Sequence, residues 1–499
     1  MAKIINTFQS TASLANSLSH FSSSSALMIP SLSWNGTLNN TKTQLIATNN
    51  NGDTLTYKGN FKFFPYTVNS ISFKGSDSSS GEFITSLAIS QTGHVTGFLG
   101  NFVYSNSDST SYEKFIGKFY PSGEKTSTLS SVEYRHNGYS VSMSGSFAFD
   151  SSFKSSTAKL DSFSYSDGTH SISATGLASV DIRSLLNNET HLSDNDMKTF
   201  LSSADALTGG TGDDYLAGYA GNDTIVGLQG NDTLVGGAGN DTLTGGSGID
   251  TFFVDIGVDT INDLGLGGAD ILTVTIGSTA NVTLGAAWTA TSDTVNRGTT
   301  TIKTAGLAVD LSAVSTGNGF SITNSGAVTS LIGSNLADSI TGGAGNETII
   351  GGLGNDSLIG GLGNDSLNGG LGNDTIKGGL GNDLLRGEGG IDCFVLDSAI
   401  GSSNIDTLFD FTSGTDVIQL SKSIFNKIGS TGTLNANAFY AYSGAVAGHD
   451  ADDRIIYNTS TGVLYYDADG SGKGAAVQIA IVGASSHPTI TSSDFQVIG

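Results

Sequence analysis

The residues best suited to chemistry in this sequence are carboxylates that recur every nine positions. Each occupies the sixth place of a nonapeptide G-G-x-G-N-D-x-(L/I)-x, which Gly351–Lys377 repeats three times almost without change. A disordered linker needs neither a nine-residue phase nor an aliphatic residue at a constant offset, so the period indicates a stacked, repetitive fold. Units begin at Gly209, Gly218, Gly227, Gly236, Gly245, Gly333, Gly342, Gly351, Gly360, Gly369, Gly378 and Gly387.

The sixth-position carboxylates are candidate metal ligands. Stacked aspartates repel one another, and a hard dication between them removes that repulsion. Carboxylate oxygens and the main-chain carbonyls of glycine-rich turns together form the all-oxygen set that Ca²⁺ prefers. The candidate carboxylates are Asp214, Asp223, Asp232, Asp241, Asp250, Asp338, Asp356, Asp365, Asp374, Asp383 and Asp392. The turn residues expected to join them are Gly354, Asn355, Gly363, Asn364, Gly372, Asn373, Gly381 and Asn382.

Each nonapeptide predicts a tight turn followed by a strand of about three residues. Glycine permits positive φ, and asparagine tolerates it better than most residues. Two units are expected to make one coil, and stacked coils then pair their strands in parallel. The aliphatic residues in the eighth position would line a narrow core; examples are Leu358, Leu367, Ile376 and Leu385.

Such a narrow core is too small to hold the fold by itself. One buried aliphatic side chain contributes about 2–3 kcal/mol. Ordering nine residues costs on the order of 10 kcal/mol. Bound Ca²⁺ is therefore expected to supply the missing stabilisation.

Composition and charge narrow the range of partners. The 499 residues include 45 acidic against 21 basic, a formal net charge of −24. This balance disfavours nucleic acid and anionic membrane surfaces, which repel an acidic protein, and favours bound cations. The single cysteine, Cys393, excludes an intrachain disulfide and a cysteine-rich zinc site.

Familiar catalytic motifs are not found in the sequence. None of the seven histidines lies in H-E-x-x-H, and no G-x-S-x-G occurs. Cys393, beside Phe394 and Val395, fits a buried small hydrophobe better than a nucleophile. His136 and His170 flank expected hairpin turns, where solvated residues are more common than catalytic ones. We therefore expect a protein that is not an enzyme, with a hydrolase of unusual site as an alternative.

The nonapeptide resembles that of the RTX (repeats-in-toxin) family, whose G-G-x-G-x-D-x-U-x units form a parallel β-roll with Ca²⁺ between turns. The match covers Gly209–Val254 and Gly333–Leu396. The resemblance implies an all-β fold with a β-roll in two blocks. Departures put the sites near Gly218, Gly333 and Glu347 in doubt: Tyr219, Leu228, Ser334 and Glu388 replace the second glycine, Asn335 and Leu336 disturb one unit, and Glu347 replaces Asp.

Six segments are expected along the chain. Residues 1–180 predict an antiparallel β domain, a sandwich or a long meander, for assembly or ligand binding. A helical connector, capped by Ser193 or Asp194, is expected at 181–208. The two β-roll blocks occupy 209–254 and 333–397, and the β-rich insert at 255–332 either extends the stack or forms a small sheet on it. A C-terminal β domain follows at 398–499.

The C-terminal segment adds further acidic residues. Asp410 and Asp416 lie along strand-like runs and are expected to add metal ligands. Asp467-Ala-Asp469-Gly opens like an EF-hand loop but lacks the Glu at the twelfth position, so a cation site and a plain acidic turn stay as equal alternatives. The segment also resembles the domain that follows the β-roll in RTX proteins exported by type I secretion, which implies an uncleaved C-terminal export signal.

The expected function is structural and extracellular. The start of the chain shows no Sec signal peptide, and no stretch reaches the roughly 18 apolar residues of a membrane helix. Few Lys, Arg, Cys and Met residues among many Ser, Thr and Gly resemble bacterial surface-layer proteins and RTX adhesins. We expect a secreted Ca²⁺-binding surface-layer or matrix protein whose partners are other copies of itself, the type I secretion machinery and cell-surface polysaccharide. An adhesin or carbohydrate-binding module is the alternative.

Overall fold

A computed structural model describes residues 201–327, 329–483 and 486–499, together with ten strands between residues 44 and 175. The chain forms two compact units, Met1–Gln229 and Gly230–Gly499. The expected helix caps Ser193 and Asp194 lie outside the described residues. No helix among the described residues has the length and apolar character to span a bilayer.

The first unit begins as an antiparallel meander. Each of its first ten strands pairs with the next strand in the chain. The strands are β1 (Gln44–Thr48), β2 (Thr54–Asn60), β3 (Thr67–Lys74), β4 (Ser80–Ile89), β5 (Val95–Ser105), β6 (Tyr112–Phe119), β7 (Ser127–His136), β8 (Tyr139–Phe149), β9 (Ser155–Ser166), β10 (Ser171–Thr175), β11 (Ala206–Thr208), β12 (Tyr215–Ala217) and β13 (Thr224–Gln229).

The direction of pairing changes at β11. This strand is antiparallel to β10 but parallel to β13, which follows it by one coil. Ala206–Thr208 was expected to end a helical connector, and that part of the expectation is wrong. The strand forms here because the nine-residue repeat has already begun. Asp205 occupies the sixth place of a degenerate nonapeptide that directly precedes the unit at Gly209.

The second unit is a parallel β-roll with a C-terminal β domain. Its roll strands are β14 (Thr233–Val235), β15 (Thr242–Ser247), β16 (Thr251–Val254), β17 (Val258–Leu264), β18 (Ile271–Val274), β19 (Thr279–Leu284), β20 (Trp288–Thr289), β21 (Val295–Asn296), β22 (Thr299–Lys303), β23 (Val309–Asp310), β24 (Ser321–Thr323), β25 (Ser330–Ile332), β26 (Ser339–Thr341), β27 (Thr348–Leu353), β28 (Ser357–Leu362), β29 (Ser366–Leu371), β30 (Thr375–Leu380), β31 (Leu384–Gly389), β32 (Cys393–Leu396), β33 (Asp406–Leu408) and β34 (Val417–Ser421). The predicted all-β fold with a parallel β-roll is confirmed.

In the repeat blocks, successive strands alternate between two faces of the roll. One face is a continuous sheet, whereas the other is divided in the insert into a sheet that ends at β21 and a sheet that begins at β20. Within a sheet, a strand pairs with the strand one coil later, so that Thr348 lies opposite Ser366 and Ser357 opposite Thr375. Strands β17, β19, β22, β24 and β26 continue one sheet without a break through residues 255–332. The insert therefore extends the stack.

The core of the roll consists of two rows of buried, mainly aliphatic side chains, one from each face. In β28, Leu358 and Gly360 are buried, whereas Ser357 and Leu362 are exposed. This period-two pattern follows from the alternation of side chains along a strand. The eighth-position residues Leu358, Leu367, Ile376 and Leu385 are fully buried.

The C-terminal domain closes the end of the roll. Its strands are β35 (Gly432–Thr433), β36 (Phe439–Tyr442), β37 (Ile455–Asn458), β38 (Val463–Tyr466), β39 (Val477–Val482) and β40 (Phe495–Ile498), with 3₁₀ turns at Ala436–Ala438 and Ser492–Asp494. Strand β39 extends one sheet by pairing with β33, and β40 extends the other by pairing with β34. Both sheets of the roll are thus covered at this end.

Candidate metal centre

The sixth-position carboxylates of the second unit form two columns, one along each edge of the roll. Each column is tied by hydrogen bonds in which the main-chain N–H of one carboxylate residue donates to Oδ1 of the carboxylate one coil later. Asp356 donates in this way to Asp374, and Asp365 to Asp383, both at 2.8 Å. The first column contains Asp241, Asp259, Asp338, Asp356, Asp374, Asp392 and Asp416. The second contains Asp232, Asp250, Asp270, Glu347, Asp365, Asp383 and Asp406.

The second oxygen of many of these carboxylates is buried without a hydrogen-bond partner. This holds for Oδ2 of Asp250, Asp259, Asp356, Asp365, Asp374 and Asp383. All six residues are at most 2% exposed. A buried, unpaired charged oxygen is strongly destabilising, so each of these oxygens requires a cation or a proton.

The glycine in the first position of each unit makes the space that Oδ2 occupies. A Cβ added to Gly351 would meet Asp356 Oδ2, and the carbonyl oxygen of Gly369 lies 2.5 Å from the same point. A Cβ at Gly360 or Gly369 would likewise meet the carboxylate five residues later. A carboxylate oxygen and a carbonyl of the next coil therefore converge on one small space, which is the donor chemistry that Ca²⁺ requires.

The electrostatics of the columns agree with this fit. Burial, with a smaller contribution from neighbouring carboxylates in the same column, raises the pKa of Asp356 and of Asp365 to about 7. Burial, followed by the charge of Asp383, raises the pKa of Asp406 to about 8. These carboxylates are costly to ionise in a folded roll without a counter-ion, and a bound dication reverses that cost.

The turn asparagines have a different role from the aspartates. Oδ1 of Asn355 accepts from the main-chain N–H of Asn373, and Oδ1 of Asn364 from that of Asn382, both at 2.8 Å. In the same way, the main-chain N–H of Ile391 donates to Oδ1 of Asn373, and that of Ile405 donates to Oδ1 of Asn382. The asparagine side chains thus tie coil to coil along the exposed edges, which leaves only their main-chain carbonyls to face a metal.

The turn glycines shape the same edges. Gly354, Gly363, Gly372 and Gly381 have φ between 120° and 144°, a region that disfavours residues with a Cβ. A Cβ at Gly372 would also meet the carbonyl oxygen of Gly354 in the preceding coil. Both constraints fix glycine in the fourth position.

Some predicted ligands already have protein donors on both oxygens. Asp338 accepts from Phe320 N at 2.6 Å and from Ser334 Oγ at 2.8 Å. Glu347 is held by the side-chain amide of Asn324 and by the main-chain N–H of Gly343. These are two of the places where the sequence departs from the repeat.

Asp410 and Asp416 close the last coils. Asp410 accepts from the N–H groups of Gly387 and Glu388, both at 3.0 Å. Asp416 accepts from Asp392 N at 3.0 Å and from Thr412 N at 2.8 Å. With both oxygens bonded to amides, these carboxylates hold the end of the roll.

Sequence reasoning missed several members of the columns. Asp259 follows Asp241 by 18 residues and sits in a degenerate unit that keeps Gly257 and Ile261, so its phase was a usable signal. Asp270 follows Asp250 by 20 residues and Asp406 follows Asp383 by 23. Inserted residues in those coils conceal the period.

The C-terminal acidic turn is braced by its own backbone. Asp467 accepts from Asp469 N at 3.2 Å and from Gly448 N at 3.1 Å, and Asp469 accepts from Gly474 N at 2.9 Å. Nearby, ligand atoms of His449, Asp450 and Asp453 lie within 4.8 Å of one another. Asp453 Oδ2 there accepts two main-chain N–H groups, so its geometry is that of a loop brace.

Of the residues considered for catalysis, Cys393 is the one whose side-chain surroundings the structure describes. Burial raises the pKa of Cys393 to about 11, which keeps the thiol protonated at neutral pH. His136 ends strand β7, and His170 lies outside the described residues.

Comparison with known proteins gives a family match for the repeats. The model of the RTX calcium-binding nonapeptide repeat (4 copies) matches residues 202–234, 226–261, 330–358 and 359–392. No curated protein matches the chain. Among solved structures, the chain is similar to the solution structure of the AlgE6R3 subunit from the Azotobacter vinelandii mannuronan C5-epimerase. The identity is 22% over 32% of this chain and 77% of that chain, with a TM-score of 0.13. The family match and the periodic carboxylates agree, and together they identify residues 202–261 and 330–392 as RTX calcium-binding nonapeptide repeats that form a parallel β-roll.

Proposed function

We propose that this chain is a secreted structural protein that folds and assembles at a bacterial cell surface when it meets extracellular Ca²⁺. The observation that carries the proposal is the set of buried Oδ2 atoms between coils that have no partner in the protein. A roll built in this way is incomplete until cations occupy the columns. Folding is thereby coupled to the ion.

The energetics favour folding outside the cell. A site filled at ten times its dissociation constant stabilises the folded state by about 1.4 kcal/mol. Extracellular modules bind Ca²⁺ at about 10⁻⁴–10⁻³ M, far above cytosolic concentrations. A chain with many such sites is unfolded before export and folds after it. The net charge of −24 also favours folding outside the cell, because dications bound there offset most of this charge.

A role in assembly fits the chemistry of the outer faces. In β15, β17, β19, β22 and β24, one row of strand positions that face away from the core consists of hydroxyl and amide side chains. Thr242, Thr260, Asn281, Thr301 and Ser321 lie in register along one sheet. Repeated uncharged polar rows allow close approach of copies that carry the same net charge. The partners in this proposal are Ca²⁺, further copies of the chain, the type I secretion machinery and cell-surface polysaccharide.

The proposal is tested by titrating the purified chain with Ca²⁺. Far-ultraviolet circular dichroism should show β structure appearing at millimolar Ca²⁺ and disappearing in EGTA, whereas equal Mg²⁺ should have little effect. Electron microscopy of the same samples should show lattices or filaments only with Ca²⁺. A spectrum unchanged by EGTA contradicts ion-coupled folding, and a strictly monomeric species in Ca²⁺ contradicts assembly.

A second candidate is an adhesin whose ligand-binding part lies in residues 1–180. It is favoured by the concentration of Phe and Tyr in the strands of that region, for example in β4 to β6. Binding of the full chain to a glycan array in Ca²⁺, without lattice formation, would favour this candidate over the first.

A further inference from the structure

Residues 280–332, the later part of the insert, continue the coil of the roll but not its carboxylate columns. In the first column, Asp259 lies opposite Ala280, which lies opposite Thr300. Phe320 occupies the equivalent position one coil later. It precedes Ser321, which pairs with Thr301, the residue after Thr300. The next carboxylate is Asp338, which accepts from Phe320 N. Three successive coils therefore have no carboxylate at this edge.

The second column is interrupted over the same stretch. Its last carboxylate before residue 280 is Asp270 and its next is Glu347. One coil before Glu347, the equivalent position is held by Thr329, whose carbonyl accepts from Thr348 N, as that of Asp356 does from Thr375 N. The two acidic residues of 280–332 lie elsewhere: Asp293 is exposed, and Asp310 accepts from Ser312 N.

Neutral amides replace the ion-dependent links between coils. Asn296, fully buried, donates from Nδ2 to the carbonyl of Gly319 at 2.7 Å. Asn324, 3% exposed, accepts at Oδ1 from Thr304 Oγ1 at 2.9 Å and from Gly306 N at 2.7 Å. An amide side chain joins two coils without leaving a buried charge, so these links need no metal.

The insert also has a larger core than the repeats. Trp288, Leu311, Val314 and Phe320 are at most 2% exposed. Trp288 Nε1 donates to the carbonyl of Asp270 at 3.0 Å. Each nonapeptide of the repeats contributes a single aliphatic side chain, so hydrophobic burial per coil is greater in the insert.

We propose that residues 280–332 form a joint that remains folded without Ca²⁺ and separates two metal-dependent blocks of the roll. The blocks of the second unit are the coils that carry Asp232–Asp270 and those that carry Asp338–Asp416. On removal of Ca²⁺, the blocks unfold and the joint persists; on its return, both blocks refold from the ends of the joint. This inference rests on the proposed requirement of the repeats for Ca²⁺.

Trp288 provides a native reporter for the joint. The chain has two tryptophans, so Trp34→Phe leaves Trp288 as the only one. In EGTA, we expect the far-ultraviolet signal of the repeats to fall while Trp288 emission stays blue-shifted and inaccessible to acrylamide. The matched control is Trp34→Phe/Trp288→Phe/Phe394→Trp, which places the reporter at a fully buried core position of the second block. Its emission should shift to the red in EGTA.

Hydrogen exchange of the unaltered chain gives an independent measurement. Peptides that cover β19 and β22 should keep their protection in EGTA, whereas peptides that cover β28 to β30 should lose it. If Trp288 and these joint peptides become exposed together with the repeats, the inference is overturned and Ca²⁺-coupled folding stands. If EGTA changes neither region, Ca²⁺-coupled folding fails, and the inference fails with it.

Discussion

Asp365→Asn tests the role of the columns, because its effect on stability should change sign with Ca²⁺. The substitution keeps the Oδ1 that accepts from Glu347 N at 2.7 Å and removes only the charge. Without Ca²⁺, burial raises the pKa of Asp365 from 3.8 to about 7. At about 1.4 kcal/mol per pKa unit, the buried charge costs up to ~4 kcal/mol above neutral pH, and the variant escapes that cost.

In Ca²⁺ the same substitution should be destabilising. A neutral amide is a poorer ligand than a carboxylate, and loss of one site at ten times its dissociation constant costs about 1.4 kcal/mol. Denaturant unfolding at pH 8 in millimolar Ca²⁺ measures this loss. In EGTA, where the repeats are expected to be unfolded, the osmolyte concentration that restores β structure at pH 8 measures the gain. Asp310→Asn is the matched control, since Asp310 lies outside the columns, and its effect should not depend on Ca²⁺. Equal destabilisation of Asp365→Asn in both conditions would refute the assignment.

Three further predictions follow from the same geometry. Gly369→Ala should raise the Ca²⁺ midpoint in a circular-dichroism titration, because the added Cβ would displace Asp374 Oδ2; Gly401→Ala, with nothing within 4 Å, should leave the midpoint unchanged. Asn373→Ala should cost about 1 kcal/mol in denaturant unfolding, since the N–H of Ile391 loses its acceptor at 2.8 Å; no loss would contradict the coil-to-coil role of the asparagines. In EGTA, acidification should stabilise the roll. The folded pKa of Asp356 lies above its unfolded value, so this contribution is full below about 4 and is lost as pH rises through about 7. Melting temperatures that rise with pH in EGTA would contradict this.

Much of the roll was predictable because its determinants are local. The triplet Asp-Ser-Leu at Asp356–Leu358 predicts both the start of a strand and its inward-facing residue. Gly354 and Asn355 predict the turn before it. The core position and the candidate metal-binding carboxylate both follow from counting to nine. The expected helical connector is wrong at Ala206–Thr208, because a degenerate nonapeptide with Asp205 in its sixth place already begins the roll there.

The details of the candidate site were less accessible, because they depend on partners 18 or more residues away. Nothing in the local sequence separates Asp356, whose Oδ2 is unpartnered, from Asp416, whose two oxygens accept amides. The asparagines were expected to join the metal ligands through their turn carbonyls, and the bonds of their side chains to the next coil could not be foreseen. Asp270 and Asp406 were not assigned as metal ligands, because inserted residues broke the nine-residue count.

A nine-residue period is enough to establish that the chain coils, that its coils stack in parallel and that carboxylates line their turns. Contacts between distant coils then settle which carboxylates become neighbours, which of their oxygens is left unpaired and where the columns stop. The physical reason is that strand register is set by packing across whole coils. That packing holds Ala280 and Thr300 in line with Asp259, although neither residue shares its chemistry.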